Sequence, residues 1–142
     1  MNDSKLIKLL TYLGASPFFL AILIGRLNNS FLGVDGLQWF LTYALVILTF
    51  MAGTLWGQVI NERARVKTIA LATNIVTLAA WFGFLFATPP TVLLISGFSF
   101  LALYMFELFF MDHIKRPDYY LGLRRNVTGL VLIAHAILFL QL

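Results

Sequence analysis

Long apolar runs separated by short polar stretches make up this chain from one end to the other. A helix needs roughly 20 mostly apolar residues to cross the hydrocarbon core of a bilayer. The predicted membrane-spanning helices cover residues 6–25, 37–60, 68–87, 92–111 and 122–142. No run alternates polar and apolar residues as the strands of a membrane barrel do. The pattern therefore predicts an all-α, polytopic membrane protein, with residues 1–142 forming a single domain built as a bundle of five transmembrane helices.

The basic residues fall almost entirely on one side of the predicted membrane. With five spans, one side receives the N-terminus and the linkers 61–67 and 112–125, and the other side receives the linkers 28–36 and 88–90. The first side holds Lys5, Lys8, Arg63, Arg65, Lys67, Lys115, Arg116, Arg124 and Arg125, and the second holds Arg26. Lys and Arg mark the cytoplasmic side of membrane proteins. We therefore expect the N-terminus in the cytoplasm and the C-terminus outside.

The composition agrees with a membrane protein and excludes several other classes. Hydrophobic residues make up 61% of the chain and charged residues only 11%, whereas soluble domains average about 25% charged residues. The net charge of +4 does not indicate a nucleic-acid partner, because the basic residues lie only between the apolar runs. There is no cysteine, which excludes disulfides and thiolate chemistry. No amphipathic transit segment precedes the first run, which we interpret as a retained helix, so we expect the bacterial inner membrane.

The second predicted helix carries small residues at helical spacing. Thr49, Gly53 and Gly57 lie at i, i+4 and i+8, and a GxxxG motif lets two helix backbones approach closely in lipid. The approaching helix would belong either to the same chain or to a partner. Thr49 and Trp56 lie on one face of this helix, which we interpret as facing the interior of the bundle. In the first helix, Pro17 removes a backbone hydrogen bond, which predicts a kink.

Glu107 is the acidic residue within a predicted span. An ionisable side chain in the membrane is costly and is a candidate functional site by default. Ser96, Tyr104 and Glu107 fall on one side of the fourth helix. Glu107 either forms an ion pair with Arg124 or Arg125, with Arg124 favoured, or it binds a proton or a ligand.

His135 lies near the middle of the fifth predicted helix, on the same face as Arg124 and Thr128. A buried histidine in this position either packs the bundle as a neutral, hydrogen-bonded ring or takes part in proton or ligand binding. Asn74 lies at comparable depth in the third helix and is the predicted partner. Haem is disfavoured because the other histidine, His113, lies at the membrane interface.

Short motifs along the chain resemble a known family. They comprise Gly14, Pro17 and Phe18 in the first helix, Tyr43, Phe50, Gly53, Trp56 and Gly57 in the second, and Trp81, Tyr104, Asp112, Tyr119, Tyr120 and Arg124 further on. The family is a group of small bacterial integral membrane proteins of unknown function, with a mitochondrial relative called transmembrane protein 69. The chain differs from the family pattern at Ala52, Leu55 and Asn74, where the family has glycine, often histidine, and proline. The resemblance implies a five-helix bundle and no particular activity.

No catalytic constellation, metal site or cofactor motif is evident in the sequence, so we do not expect an enzyme. The leading hypothesis is a non-enzymatic accessory, assembly or lipid-organising protein. Its expected partners are the lipid bilayer and either a larger membrane complex or further copies of itself. The alternative is a small transporter or channel that uses Glu107 and His135. A weaker alternative is a quinone-binding protein or enzyme that uses Glu107, Trp56 and Tyr104.

Overall fold

The computed structural model describes residues 2–62 and 65–142. Within these residues the chain forms the helices α1 (Asp3–Leu27), α2 (Gly36–Val59), α3 (Val66–Phe86), α4 (Pro89–Phe110) and α5 (Tyr120–Gln141), and the strands β1 (Ser30–Phe31) and β2 (Val34–Asp35). All five helices are long and apolar enough to cross a membrane. The predicted all-α fold with five spans is therefore confirmed, and the chain is a multi-pass membrane protein.

Local chemistry explains where two of the helices begin. α1 starts at Asp3 rather than at residue 6 because the Asn2 side chain accepts a hydrogen bond of 2.9 Å from the backbone N–H of Lys5. This bond satisfies one of the unpaired donors at a helix N-terminus. α4 starts at Pro89 rather than at residue 92, because proline has no N–H to leave unpaired in the first turn.

The linker between α1 and α2 is a small antiparallel hairpin. Ser30 pairs with Asp35 and Phe31 pairs with Val34. The two residues between the strands, Leu32 and Gly33, have φ angles of 54° and 79°. Positive φ at both central positions is typical of the tight turns that match the twist of a two-stranded ribbon.

Two helix backbones approach most closely at Gly36, beside this hairpin, and not at the GxxxG motif of Gly53 and Gly57. A Cβ atom at Gly36 would lie 2.6 Å from the Gly25 nitrogen and 2.7 Å from the Ala21 carbonyl oxygen, so α1 and α2 meet here in backbone contact. A Cβ atom at Gly53 or Gly57 would meet nothing within 4 Å outside the local backbone. The prediction that these two glycines pack against another helix of the same chain is therefore wrong.

The orientation of α2 explains this error. The helix buries the stripe Gly36, Phe40, Ala44, Leu48, Ala52, Leu55 and Val59. Gly53 and Gly57 lie on the exposed side of the helix, as does Trp56, which is 44% exposed. Thr49 is only partly buried and donates to the carbonyl oxygen of Val46 in its own helix. The predicted interior stripe through Thr49 and Trp56 is also wrong.

The helices pack in a closed ring. Each contacts its neighbour in chain order, α5 returns to α1, and α2 also contacts α4. Phe18 of α1 is fully buried at the centre, with its ring centroid 5.0 Å from that of Phe40 and 6.1 Å from that of Phe100. Large apolar side chains are exposed on the outside of the helices, as expected where a bundle faces lipid.

α1 runs through Pro17 without a break in its helical assignment. Proline at position 17 leaves the Leu13 carbonyl without its usual helical donor, and the Ser16 hydroxyl donates to it at 2.7 Å. The next carbonyl, that of Gly14, accepts from the Tyr43 hydroxyl of α2 at 2.6 Å. Side chains thus satisfy the backbone around the proline, as bundles in lipid require, while the kink stays a prediction.

The start of α1, the α2–α3 linker and the α4–α5 loop meet at one end of the bundle, which we call the basic end. The Tyr12 hydroxyl accepts a 3.2 Å hydrogen bond from Asn126, and the Arg65 guanidinium lies 3.4 Å from the Asp112 carboxylate. Arg63, another basic residue of the predicted linker 61–67, lies outside the described residues. Arg26 lies at the opposite end, near the end of α1.

Candidate functional site

The Glu107 carboxylate is fully buried near the end of α4 and is bound on both oxygens by arginine. Arg124 of α5 donates from Nε to Oε1 at 2.5 Å, and Arg116 donates from Nη1 to Oε2 at 2.9 Å. A guanidinium group can only donate, so both carboxylate oxygens act as acceptors. This geometry is that of an ionised carboxylate in a charge-assisted pair.

Arg116 belongs to the loop between α4 and α5 and folds back onto the end of α4. Its Nη2 donates to the Met111 carbonyl oxygen at 2.8 Å, and its guanidinium lies 5.0 Å from the centre of the Tyr120 ring. In the sequence, Arg116 is one of the basic residues of the linker 112–125, and Arg124 or Arg125 was the predicted partner of Glu107. Arg125 is exposed instead. The feature of the sequence that could have indicated the contact between Arg116 and Glu107 is the position of Arg116 in a short loop that follows Glu107.

Arg124 is held from both sides. Besides its bond to Glu107, its Nη1 lies 3.4 Å from the Thr128 hydroxyl one turn further along α5, as their shared helical face predicts. The side chain of Arg124 is 8% exposed and that of Arg116 is 10% exposed. We call Glu107, Arg116 and Arg124 the Glu107 cluster.

A second buried polar group lies deeper in the bundle at the contact between α4 and α5. His135 Nδ1 lies 2.8 Å from the Val131 carbonyl oxygen, and Nε2 lies 2.9 Å from the Ser96 hydroxyl oxygen. A carbonyl can only accept, so Nδ1 donates to Val131. In the neutral ring Nε2 accepts from the Ser96 hydroxyl, which can alternatively donate to the Leu93 carbonyl oxygen of its own helix at 3.2 Å. The rings of Phe18, Phe40 and Phe100 surround the imidazole, with centroid distances of 5.6, 4.9 and 5.6 Å. Both ring nitrogens of His135 are thus used within the bundle.

Asn74 is not the partner of His135, which corrects the prediction. It lies on the exposed side of α3, and its Nδ2 donates to the Ala70 carbonyl oxygen of its own helix at 2.7 Å. The prediction failed because equal depth in two helices says nothing about which faces meet. Ser96 of α4, predicted to lie on the same side of its helix as Glu107, supplies the bond instead.

Asn74 lines a shallow groove of about 270 Å³ between α2 and α3. The groove is formed by Thr49, Ala52, Gly53, Trp56, Thr73, Asn74 and Thr77. Threonine hydroxyls, an amide and an open glycine face thus meet on the outer surface of two membrane-spanning helices. We call this feature the α2–α3 groove.

The structure separates the residues of the predicted quinone-binding region. Trp56 lies in the α2–α3 groove, whereas Glu107 is enclosed by Arg116 and Arg124. Tyr104 is partly buried beside the buried stripe of α4, which runs through Phe100 and Leu103. The grouping of Glu107 with Trp56 is therefore wrong, because Trp56 points outward from α2.

The described part of the chain holds no cluster of three or more His, Cys, Asp or Glu side chains that could bind a metal ion. Glu107 and His135 already use their polar atoms in internal bonds. The polar atoms at the α4–α5 contact thus bond within the bundle, whereas those of the α2–α3 groove lie on its outer surface.

A family model described as "Protein of unknown function (DUF3429)" matches residues 4–140. The chain therefore belongs to this family of unknown function. No curated protein and no solved structure matches the chain.

Proposed function

We propose that this member of the DUF3429 family is a non-enzymatic accessory or assembly protein that binds another membrane protein within the bilayer through the α2–α3 groove. The observation that carries the proposal is Asn74, a carboxamide exposed on the outside of a membrane-spanning helix. Polar side chains within membrane spans almost always face a protein interior or a water-filled cavity. A partner helix on the groove would place Asn74 in such an interior.

The surroundings of Asn74 suit helix docking. Gly53 leaves open space above its backbone, so an incoming helix can approach α2 closely. Thr49 and Thr77 border the same groove, and small and hydroxyl-bearing residues are typical of helix interfaces in lipid. One N–H of the Asn74 side chain donates to the Ala70 carbonyl oxygen. The side-chain carbonyl oxygen of Asn74 is available to a donor from the partner.

Gentle detergent extraction followed by native mass spectrometry tests this proposal. We expect the parent protein to appear in a larger complex with another membrane protein, and the variant Asn74→Leu to appear as a monomer. Leu71→Ala, a change at an exposed apolar position of the same helix, is the control and should behave as the parent. A parent protein that is monomeric or forms a homo-oligomer of this chain alone, or an Asn74→Leu variant that keeps the partner, would contradict the proposal.

We further propose the bacterial inner membrane as the location, with the basic end in the cytoplasm and the C-terminus outside. The uneven distribution of Lys and Arg between the two ends supports this orientation. A periplasm-active reporter fused after Leu142 should be active, and the same reporter inserted after Arg65 should be inactive. The opposite pattern would reverse the orientation. A relationship to mitochondrial transmembrane protein 69 is proposed only from the shared short motifs.

Proton transport is a second candidate function, favoured by one observation. Most of the buried polar residues of the described chain lie on α4 and α5, namely Ser96, Ser99, Glu107, Arg124, Thr128 and His135, with Thr73 on α3. Proteoliposomes holding the parent protein and a pH-sensitive dye would test it. Proton flux above that of empty vesicles, lost in His135→Leu, would favour transport over the accessory function.

A further inference from the structure

The Glu107 cluster carries more positive than negative charge. Two guanidinium groups, each about nine-tenths buried, share one fully buried carboxylate. One positive charge is therefore in excess at the boundary of the membrane-spanning region. An unbalanced charge removed from water is costly, so this region favours an anion beside the arginines.

The nearby carboxylates do not supply that anion. Asp112 is 69% exposed and lies 3.4 Å from Arg65 and 3.8 Å from His113. Asp118 is exposed in the loop between α4 and α5. Salt and water screen charges of this kind, whereas the guanidinium groups of the cluster are largely shielded from water.

The cluster also has unused hydrogen-bonding capacity. Within residues 2–62 and 65–142, Arg116 Nε and Arg124 Nη2 make no hydrogen bond to the protein. Gln58 Oε1 is buried and has no hydrogen-bond partner among these residues. The Gln58 amide lies next to the cluster, because its Nε2 is 3.4 Å from the hydroxyl of Tyr120, the residue whose ring lies beneath Arg116. The site therefore needs an acceptor for the arginines and a donor for the glutamine.

A cavity of about 300 Å³ gives access to the cluster at the basic end. Glu107 and Arg116 form part of its wall, together with Leu108, Asp112, Ile114, Pro117, Asp118 and Leu121. The wall thus combines the Arg116 guanidinium and the carboxylates of Glu107, Asp112 and Asp118 with apolar side chains, where α4 ends and the loop to α5 begins. A small anionic group can reach Arg116 by this route.

We propose that the Glu107 cluster binds the phosphate diester of a phospholipid whose headgroup carries hydroxyl groups, such as phosphatidylglycerol. The single negative charge of the diester balances the excess charge of the cluster, and its oxygens accept from Arg116, the arginine that lines the cavity. A headgroup hydroxyl donates to Gln58 Oε1, which is otherwise unpaired. Basic pockets of this kind at the membrane surface bind lipid headgroups. Free inorganic phosphate has the same anionic chemistry and is the other source of such a ligand.

Native mass spectrometry of the full chain in detergent, titrated separately with phosphatidylglycerol, phosphatidylcholine and inorganic phosphate, tests the assignment. We expect phosphatidylglycerol to bind at least about tenfold more tightly than phosphatidylcholine. Both lipids carry the phosphate diester, but the quaternary ammonium of phosphatidylcholine cancels its negative charge and offers no hydroxyl group to Gln58. Arg116→Gln should weaken phosphatidylglycerol binding by about tenfold. Lys115→Gln, a change at the exposed neighbouring cation, should change it less than about twofold.

Equal binding of the two lipids to the parent protein would overturn the proposal, and this comparison holds even if the Arg116 variant does not fold. Equal phosphatidylglycerol affinity for the parent and a folded Arg116→Gln variant would also overturn it. Displacement of phosphatidylglycerol by inorganic phosphate at equal concentration would assign the site to a free anion and contradict the lipid source. Gln58→Leu gives a second check that leaves the charge unchanged, and it should reduce the preference for phosphatidylglycerol over phosphatidylcholine.

Discussion

The α4–α5 contact and the α2–α3 groove both hold polar side chains within membrane-spanning helices, but they satisfy them differently. Glu107 and His135 use their polar atoms in bonds to neighbouring groups, and both are buried. Asn74 and Thr77 bond mainly to their own helix, and Asn74 is exposed. A polar residue in a span is thus either part of the internal structure or available to a partner, and the packing of its helix decides which.

The largest effect we expect is at Glu107. Glu107→Gln removes the shared acceptor and leaves two buried guanidinium groups unpaired, and breaking a buried pair from one side costs about 3–5 kcal/mol. Arg124→Gln should cost less, because Arg116 still neutralises the carboxylate. The free energy of unfolding in detergent measures both losses, with exposed Arg125→Gln as the control.

The double variant Glu107→Gln with Arg124→Gln sharpens this test. It leaves one guanidinium without its carboxylate instead of two, so its loss should be smaller than the sum of the two single losses. Contacting residues in a network typically show a coupling of about 0.5–3 kcal/mol. Additive losses would mean that Glu107 and Arg124 do not interact in the membrane protein.

A smaller loss of stability is expected from glycine substitutions in α2, at Gly36 near its start and at Gly53 near its end. Gly36→Ala places a methyl group 2.6 Å from the Gly25 nitrogen, and overpacking of this kind costs about 1–3 kcal/mol. Gly53→Ala meets open space and should not lower the stability of the monomer. Thermal unfolding of the two variants should separate them, and equal midpoints would show that the contact between α1 and α2 is not close.

A smaller loss should follow Ser96→Ala, which removes the hydroxyl bonded to His135 Nε2. Hydrogen bonds between helices in membranes contribute about 0.6–2 kcal/mol. Ser99→Ala is a matched control, because the Ser99 hydroxyl donates to the Ile95 carbonyl of its own helix. If both variants lose the same stability, the bond between Ser96 and His135 makes no specific contribution.

The smallest effect on the monomer is expected for Asn74→Leu. The side chain lies outside the bundle, and substitutions of this kind change stability by less than about 0.5 kcal/mol. Unfolding of the monomer under dissociating detergent conditions checks this value. A loss above about 1 kcal/mol would show that Asn74 supports the bundle itself and would remove the contrast with Glu107.

The contact between Arg116 and Glu107 is the part of the candidate site that could not be predicted from the sequence. The sequence identified Glu107 as an unusual carboxylate and Arg124 as a residue at a suitable depth, because both follow from helical spacing. Arg116 lies in the irregular loop, where no periodicity fixes the direction of a side chain. Only the folded loop shows that its guanidinium returns to α4 and contacts Glu107.

The sequence by itself determined the five spans and the grouping of basic residues at the linkers, since run length and charge are local properties of the chain. The tertiary structure decided which face of each helix points inward. In lipid, the outside of a bundle is as apolar as the inside, so hydrophobic periodicity does not distinguish the two faces. This is why Gly53 and Trp56 lie outside, why Gly36 carries the close approach, and why Ser96 rather than Asn74 binds His135.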